Sequence, residues 1–198
     1  MSLKDFEDLG YHCGVDEVGR GAWSGPVVAA AVRFNKRHTI NGLADSKALR
    51  PEMRIKLYFE ILDTFPVGVS FFSSKSVDKY NILNCSLLAM EEAVHKVFDR
   101  KDNLYFDGNT LPKAFRSSET AYCVTKGDTI IASIAAASIV AKVSRDFYMK
   151  ALNIRFPGYG WGKNVGYGVE QHKVGINKLG LNTEHRRSFS PIYNILCL

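Results

Sequence analysis

No apolar run in this chain approaches the ~18–20 residues that a membrane helix needs. The longest candidates are Pro26 to Val32 and Ile130 to Ala141, and Ser133 and Ser138 break the second. Cysteine is scarce and dispersed: Cys13, Cys85, Cys123 and Cys197 form no CxxC pair. That spacing argues against both a zinc knuckle and a disulfide framework. Internal repeats, low-complexity tracts and Pro/Ser-rich linkers are absent. A signal peptide needs a basic stretch followed by an apolar one. The first residues, Met1 to Glu7, carry acids there instead, so a cytoplasmic protein is expected. Charge of one sign is in shorter supply. Asp and Glu number 20 against 26 Lys and Arg, a formal net charge of +6, which favours a polyanionic partner. Hydrophobic residues at 46% and charged residues at 23% exclude disordered, collagen-like and coiled-coil chains. At 198 residues the chain can bury roughly 70% of its unfolded surface without staples.

Strand-like and helix-like segments alternate along the first half. Tyr11 to Glu17 reads as a short strand stopped by Gly19-Arg20-Gly21, and Pro26 to Phe34 as a strand buried on both faces. Met53, Leu57, Ile61 and Leu62 give Arg50 to Leu62 a helical spacing, with Pro51 suited to the first turn. Val67 to Phe72 is a third strand. Ile82 to Phe98 is a second helix, striped by Leu83, Leu87, Met90, Val94 and Phe98. Asn103 to Phe106 and Ala121 to Val124 complete the strands, and Thr129 to Leu152 is the longest helix. From Gly158 onward glycines crowd the chain, followed by a mostly polar helix, Val169 to Leu179, and the basic run His185-Arg186-Arg187. The expectation is one α/β domain over residues 1–155 with a small helical C-terminal part, 156–198.

The acids share a placement. Asp16-Glu17 closes the first strand, Asp107 closes the fourth, and Asp128 stands between the fifth and the long helix. Ligands bind at such strand ends in α/β sheets. Converging carboxylates repel unless a cation lies between them. Oxygen donors with few His or Cys nearby suit Mg²⁺ or Mn²⁺ rather than Zn²⁺. Two such ions ~3.5–4 Å apart are the usual machinery for phosphodiester hydrolysis. Taken singly, Asp107-Gly108 also suits a plain turn and Asp128 a plain helix N-cap. Adjacent strand residues face opposite ways, so one of Asp16 and Glu17 must face the interior, where an acid needs a partner or a metal. The glycines flanking Arg20 allow close backbone approach to a ligand, and Arg20 can fork onto phosphate. A tight turn with an exposed Arg is the alternative.

Gly14-Val15-Asp16-Glu17-Val18-Gly19-Arg20-Gly21 followed by Gly25-Pro26-Val27-Val28-Ala29-Ala30-Ala31-Val32 resembles the opening of the type 2 ribonucleases H, the bacterial ribonuclease HII group. Further segments match in order: Asp45-Ser46-Lys47, Asp107-Gly108-Asn109, Lys126-Gly127-Asp128, Ile134 to Val143 with Arg145-Asp146, Gly166-Tyr167-Gly168, and His185 to Phe189. The resemblance spans about residues 11–192. It implies a ribonuclease H-like fold, a central mixed five-stranded sheet flanked by helices. It implies endonucleolytic cleavage of RNA paired with DNA, including the 5′ side of a single ribonucleotide in duplex DNA, leaving 3′-hydroxyl and 5′-phosphate ends. It places two Mn²⁺ or Mg²⁺ ions on Asp16, Glu17, Asp107 and Asp128, with Asp128 having the weakest claim to touch a metal directly. It gives Gly19, Arg20 and Gly21 the ribose 2′-hydroxyl. Tyr167 receives the neighbouring sugar, and Ser46 and Lys47 phosphate, with Ser138 and Lys142 as further candidates. The partners implied are RNA–DNA hybrid and ribonucleotide-containing duplex DNA, with no membrane and a monomeric enzyme.

Val169 stands where Thr is common in that family, and Leu181 where Pro is frequent. Three rival readings stand beside it. A type 3 enzyme would carry a large N-terminal extension, whereas the first of the motif acids here is residue 16. A non-catalytic hybrid-binding module would be expected to lack one of the acids. A small-molecule hydrolase using His172 or His185 would need a Ser or Cys elbow, and none is present. His185, heading a basic run, reads as a phosphate contact or simply as exposed.

Overall fold

The computed structural model describes residues 10–34, 40, 42–43, 49–99 and 102–197. Five strands form one sheet: β1 (His12–Val18), β2 (Val27–Phe34), β3 (Val67–Phe72), β4 (Asn103–Asp107) and β5 (Ala121–Val124), in the order β3-β2-β1-β4-β5. β1 pairs antiparallel with β2 and parallel with β4; β2–β3 is antiparallel and β4–β5 parallel. The sheet is therefore mixed, with the parallel half carrying β1 and β4.

The helices are α1 (Pro51–Thr64), α2 (Ser74–Tyr80), α3 (Ile82–His95), α4 (Ala132–Arg155), α5 (Trp161–Asn164), α6 (Glu170–Leu179) and α7 (Ser190–Leu196). α2 escapes a periodicity reading because its start is a local cap: the Ser73 hydroxyl accepts the Ser76 N–H at 3.2 Å. Asn81 ends α2 and caps α3, its Oδ1 accepting the Asn84 N–H at 2.9 Å.

Two apolar layers sandwich the sheet. On one face Leu57 and Ile61 of α1 and Ile139, Val140 and Val143 of α4 pack on Ala30, Val32 and Phe34. On the other, Ala89, Met90, Ala93 and Val94 of α3 pack on Cys13, Val15, Leu104 and Phe106. Each large aliphatic side chain buried this way contributes roughly 1.5–3 kcal/mol. α4 lies so close to the central strand that a β-carbon on Gly14 would sit 2.2 Å from the Ser133 carbonyl carbon. The alanines and serines of its N-terminal half permit that approach. A third cluster joins Met149 and Leu152 of α4 to Tyr159, Trp161, Ile176 and Ile192, so the C-terminal part is built onto the distal half of the same helix.

The long helix begins at Ala132 rather than at Thr129. Residues Gly127–Thr129 form a 3-10 turn entered through Lys126 in the left-handed region, and Ile131 occupies the cap position without a side-chain bond. Asp128 is thus not the N-cap of that helix, which removes the plain-cap reading. Among the described residues no helix is long and apolar enough to cross a membrane.

Candidate active site

The parallel pairing of β1 with β4 runs His12 to Asn103 through Val15 to Phe106. Asp16 and Asp107 are the next residues on each strand, at the carboxyl ends of neighbouring parallel strands about 4.8 Å apart. The pleat turns Asp16 toward α4, where Ser138 hydrogen-bonds its carboxyl group. Glu17 turns toward α3. Its own N–H donates to Asp16 Oδ1 at 2.7 Å. Asp16 is buried and Glu17 is half-buried.

Asp16, Glu17 and Asp107 line a cavity of about 240 Å³ together with Val18, Arg54, Ser138, Lys142 and Tyr167. A smaller one of about 50 Å³ adjoins the same Glu17 and Asp107 from the α3 side, with Arg20, Leu87 and Asn109 in its wall. The two carboxylates thus stand between both hollows. Burial first, then repulsion from Glu17 and Asp107, pushes the Asp16 carboxyl well above the usual carboxylate range. Glu17 is also raised, by burial and by Asp107, against the pull of Arg20, whose guanidinium lies 3.1 Å from Oε1.

Asp107 Oδ1 accepts the Gly127 N–H at 2.8 Å. This ties the end of β4 to the turn that carries Asp128. Asp128 itself is buried in that turn and does not line the cavity. Lys142 and Ser138, one turn apart on α4, do line it; Lys142 Nζ also holds Asp146 at 2.7 Å.

The loop after β1 leaves the sheet through Gly19, at φ +88°, where a β-carbon would strike Arg145 Nε at 2.2 Å. Only glycine fits there, for reasons of packing beneath the loop. Gly21 lies over Tyr167: a β-carbon placed on it would be 3.8 Å from the ring edge. Tyr167 is 37% exposed and reaches the acid cavity. The Gly19-Arg20-Gly21 loop, Tyr167 and the acids are therefore neighbours. Ser46 and Lys47 lie outside the described residues.

His185 is neither exposed nor placed as a phosphate contact. His185 is 1% and Arg186 0% exposed, inside the C-terminal cluster. Trp161 Nε1–H donates to His172 Nε2 at 3.0 Å, so His172 carries its proton on Nδ1 and donates it to the Tyr167 carbonyl at 3.0 Å. His185 Nδ1 meets both the Asn182 N–H and Asn182 Oδ1 at 3.1 Å, and its Nε2 faces His172 Nε2 at 3.3 Å. Arg54 in the cavity wall and the two buried arginines, Arg145 and Arg186, escaped the sequence reading of the site. For Arg54 a signal exists: a cation beside the stripe Met53, Leu57, Ile61 of α1. For Arg186 none exists, since a basic run reads as surface.

The donor set fits hard divalent cations. Buried, mutually repelling carboxylates lower their energy by sharing a cation, and neither His nor Cys lines the cavity. Among the described residues no three or more His, Cys, Asp or Glu side chains form a preformed cage. Mg²⁺-type ions take one or two carboxylates and complete their shell with water and phosphate oxygens.

A mixed sheet in this order, with acids gathered at the ends of β1 and β4, defines the ribonuclease H-like class. The crystal structure of the ribonuclease H2 from Pyrococcus horikoshii OT3 shares this fold, at TM-score 0.76 and 25% identity, over 93% of this chain and 96% of that one. Bst-RNase HIII, solved in complex with Mn²⁺, shares the fold at TM-score 0.73 and 21% identity, over 96% and 71%. The ribonuclease HII of Jannaschia sp. (strain CCS1) is 45% identical over 188 residues, 95% of this chain and 94% of that protein. The family model for ribonuclease HII matches residues 13–191, and the chain belongs to that family. It is a ribonuclease H, an endonuclease acting on RNA–DNA hybrids.

Proposed function

We propose that this endonuclease cuts not only long hybrids but also duplex DNA carrying one ribonucleotide, on the 5′ side of that residue, leaving 3′-hydroxyl and 5′-phosphate ends. One observation carries the reading: the Gly19-Arg20-Gly21 loop and Tyr167 face each other beside the acid cavity. Backbone groups of the loop pair with a single 2′-hydroxyl, the chemical mark of RNA within a duplex. Tyr167 packs flat on the next sugar, where a second 2′-hydroxyl would crowd it. One ribonucleotide followed by deoxyribose therefore satisfies the site.

Asp16, Glu17 and Asp107 would hold two Mg²⁺ or Mn²⁺ ions, with Asp128 close behind through the Asp107–Gly127 link. Such ions supply an activated water and charge relief at the leaving oxygen. The protein's own part is to hold carboxylates at fixed strand ends, and to receive phosphates on Lys142, Arg20 and, from outside the described residues, Ser46 and Lys47. The enzyme needs no second subunit for this and is proposed to act as a monomer in ribonucleotide removal.

The test is cleavage of two labelled duplexes, one with a single ribonucleotide and one a long hybrid, with Mg²⁺, with Mn²⁺ and with chelator. Cutting of both, only with metal, is expected. A single-ribonucleotide duplex that stays intact while the hybrid is degraded would overturn the reading.

A further inference from the structure

Arg145 and Arg186 are fully buried, yet neither forms an ion pair among the described residues. Five of their six guanidinium nitrogens donate to backbone carbonyls instead, while the buried Arg186 Nη2 has no hydrogen-bond partner among the described residues. Arg145 Nε donates to Pro26 O at 2.9 Å, Nη1 to Val165 O at 2.8 Å and Nη2 to Ser24 O at 3.1 Å. Arg186 Nε donates to Gly25 O at 3.0 Å and Nη1 to Arg20 O at 2.9 Å. All five acceptors lie in two segments, residues 20–26 and residue 165. These are the segments that carry the ribose-reading loop and Tyr167.

Other bonds close the same frame. The Trp23 and Ser24 N–H groups share the Gly166 carbonyl at 2.8 and 3.2 Å, and the Arg186 N–H reaches Trp23 O at 2.8 Å. The Arg145 guanidinium carbon lies 5.8 Å from the Tyr167 ring centre, and His172 holds the Tyr167 carbonyl. Glycines make the approach possible: a β-carbon on Gly25 would sit 2.3 Å from Met149 Sδ, and one on Gly166 2.4 Å from Ser24 O.

We propose that Arg145 and Arg186 are positioning residues for substrate selection: a buried guanidinium pair that fixes the distance between the Gly19-Arg20-Gly21 loop and Tyr167. This deepens the proposed function and rests on it. Donor geometry is the physical reason. A guanidinium presents five N–H donors in a rigid planar fork, so it sets the mutual spacing of several carbonyls, which an ammonium on a flexible stem does not. Two like charges side by side in the interior are also costly; burial and Arg145 together drive Arg186 down to about 9. Apolar packing would hold a loop at lower cost. The acids do not depend on this pair, since β1–β4 pairing and the Gly127 bond set them. The clamp therefore bears on which sugar pattern is accepted, and a displacement of about 1 Å at such a point is enough to lose about a hundredfold in rate.

The experiment compares kcat and KM of Arg145→Lys and Arg186→Lys on the two duplexes, alone and combined with Tyr167→Ala, alongside melting temperature. The expected result is a loss in kcat/KM about tenfold or more greater on the single-ribonucleotide duplex than on the hybrid. In the Tyr167→Ala background that extra loss should vanish, because the partner being positioned is gone. Equal losses on both substrates, tracking the melting temperature, would make the pair merely structural and overturn the proposal. If the variants do not fold, native-state hydrogen exchange on the unmutated protein decides. The Trp23, Ser24 and Gly25 amides should be protected as strongly as the core of α4, and rapid exchange there overturns the clamp. An unmutated enzyme that spares the single-ribonucleotide duplex refutes the proposed function instead, and leaves the exchange result to judge the clamp.

Discussion

Replacing Asp16 by Asn should make the metal-free protein more stable and the enzyme nearly inactive. Asp16 is buried between Glu17 and Asp107, and both push its carboxyl group upward. Two full charges carried on strands about 4.8 Å apart repel by roughly 3 kcal/mol at an effective dielectric near 20. The amide keeps nearly the same size, and its oxygen still accepts the Glu17 N–H now at 2.7 Å from Oδ1. Removing the repulsion should therefore raise stability by about 1–3 kcal/mol in chelator at about pH 8. For a domain of this length that is roughly 3–10 °C in melting temperature. The pH dependence carries the sign. An acid whose folded value is raised binds its proton more readily in the fold, so the wild type regains stability as pH falls toward the unfolded value of 3.8. The advantage of the variant should shrink over that range. Turnover should fall by more than the roughly 10–100-fold that losing a group which merely hydrogen-bonds a metal ligand costs, because Asp16 would hold the metal itself. An Asp16→Asn protein that melts no higher than wild type in chelator, or that keeps near-normal turnover, would show that the three carboxylates do not press on one another as described.

Tyr167→Ala should cost more on the single-ribonucleotide duplex than on a long hybrid, read as the ratio of the two kcat/KM values; an unchanged ratio would remove the sugar-packing role. Acid should loosen the C-terminal part, because burial lowers His172, and burial together with His172 takes His185 down from 6.5 to about 4. Both shifts favour the neutral ring in the fold, so the stability they contribute is present above about pH 6.5 and falls below it, for His185 by up to about 3 kcal/mol on reaching about pH 4. Melting scans across that range, with His185→Asn flattening the slope, check it. Lys47→Ala should flatten the plot of log affinity against log salt by about one unit, as the loss of one phosphate contact requires. An unchanged slope would place Lys47 off the nucleic-acid track.

The acids were legible in the sequence because their position is a property of the chain alone. Asp16-Glu17 and Asp107 each end an apolar strand, and strand ends in α/β sheets collect ligands. The strands were legible for the same reason, since alternation and branched side chains are local signals. Val67–Phe72 and Ala121–Val124 have the bounds the sequence predicts. The start of α4 was not, because the 3-10 turn at Gly127–Thr129 depends on the bond from Gly127 to Asp107, twenty residues away.

The basic run His185-Arg186-Arg187 marks the boundary most clearly. By composition it reads as surface, and the sequence holds nothing local to say otherwise. Arg186 is buried because the carbonyls of Arg20 and Gly25 wait for it across more than 160 residues of chain, and His185 because His172 and Asn182 enclose it. Strands, long helix, carboxylates and, through colinear motifs, the family were all written in the order of residues. Folding in three dimensions was needed to make Asp16 and Asp107 level, to bring Arg54 into their cavity, and to hold two arginines inside. Strand and helix signals are periodic and short-range, whereas a buried charge is tolerated only where distant backbone groups converge to satisfy it.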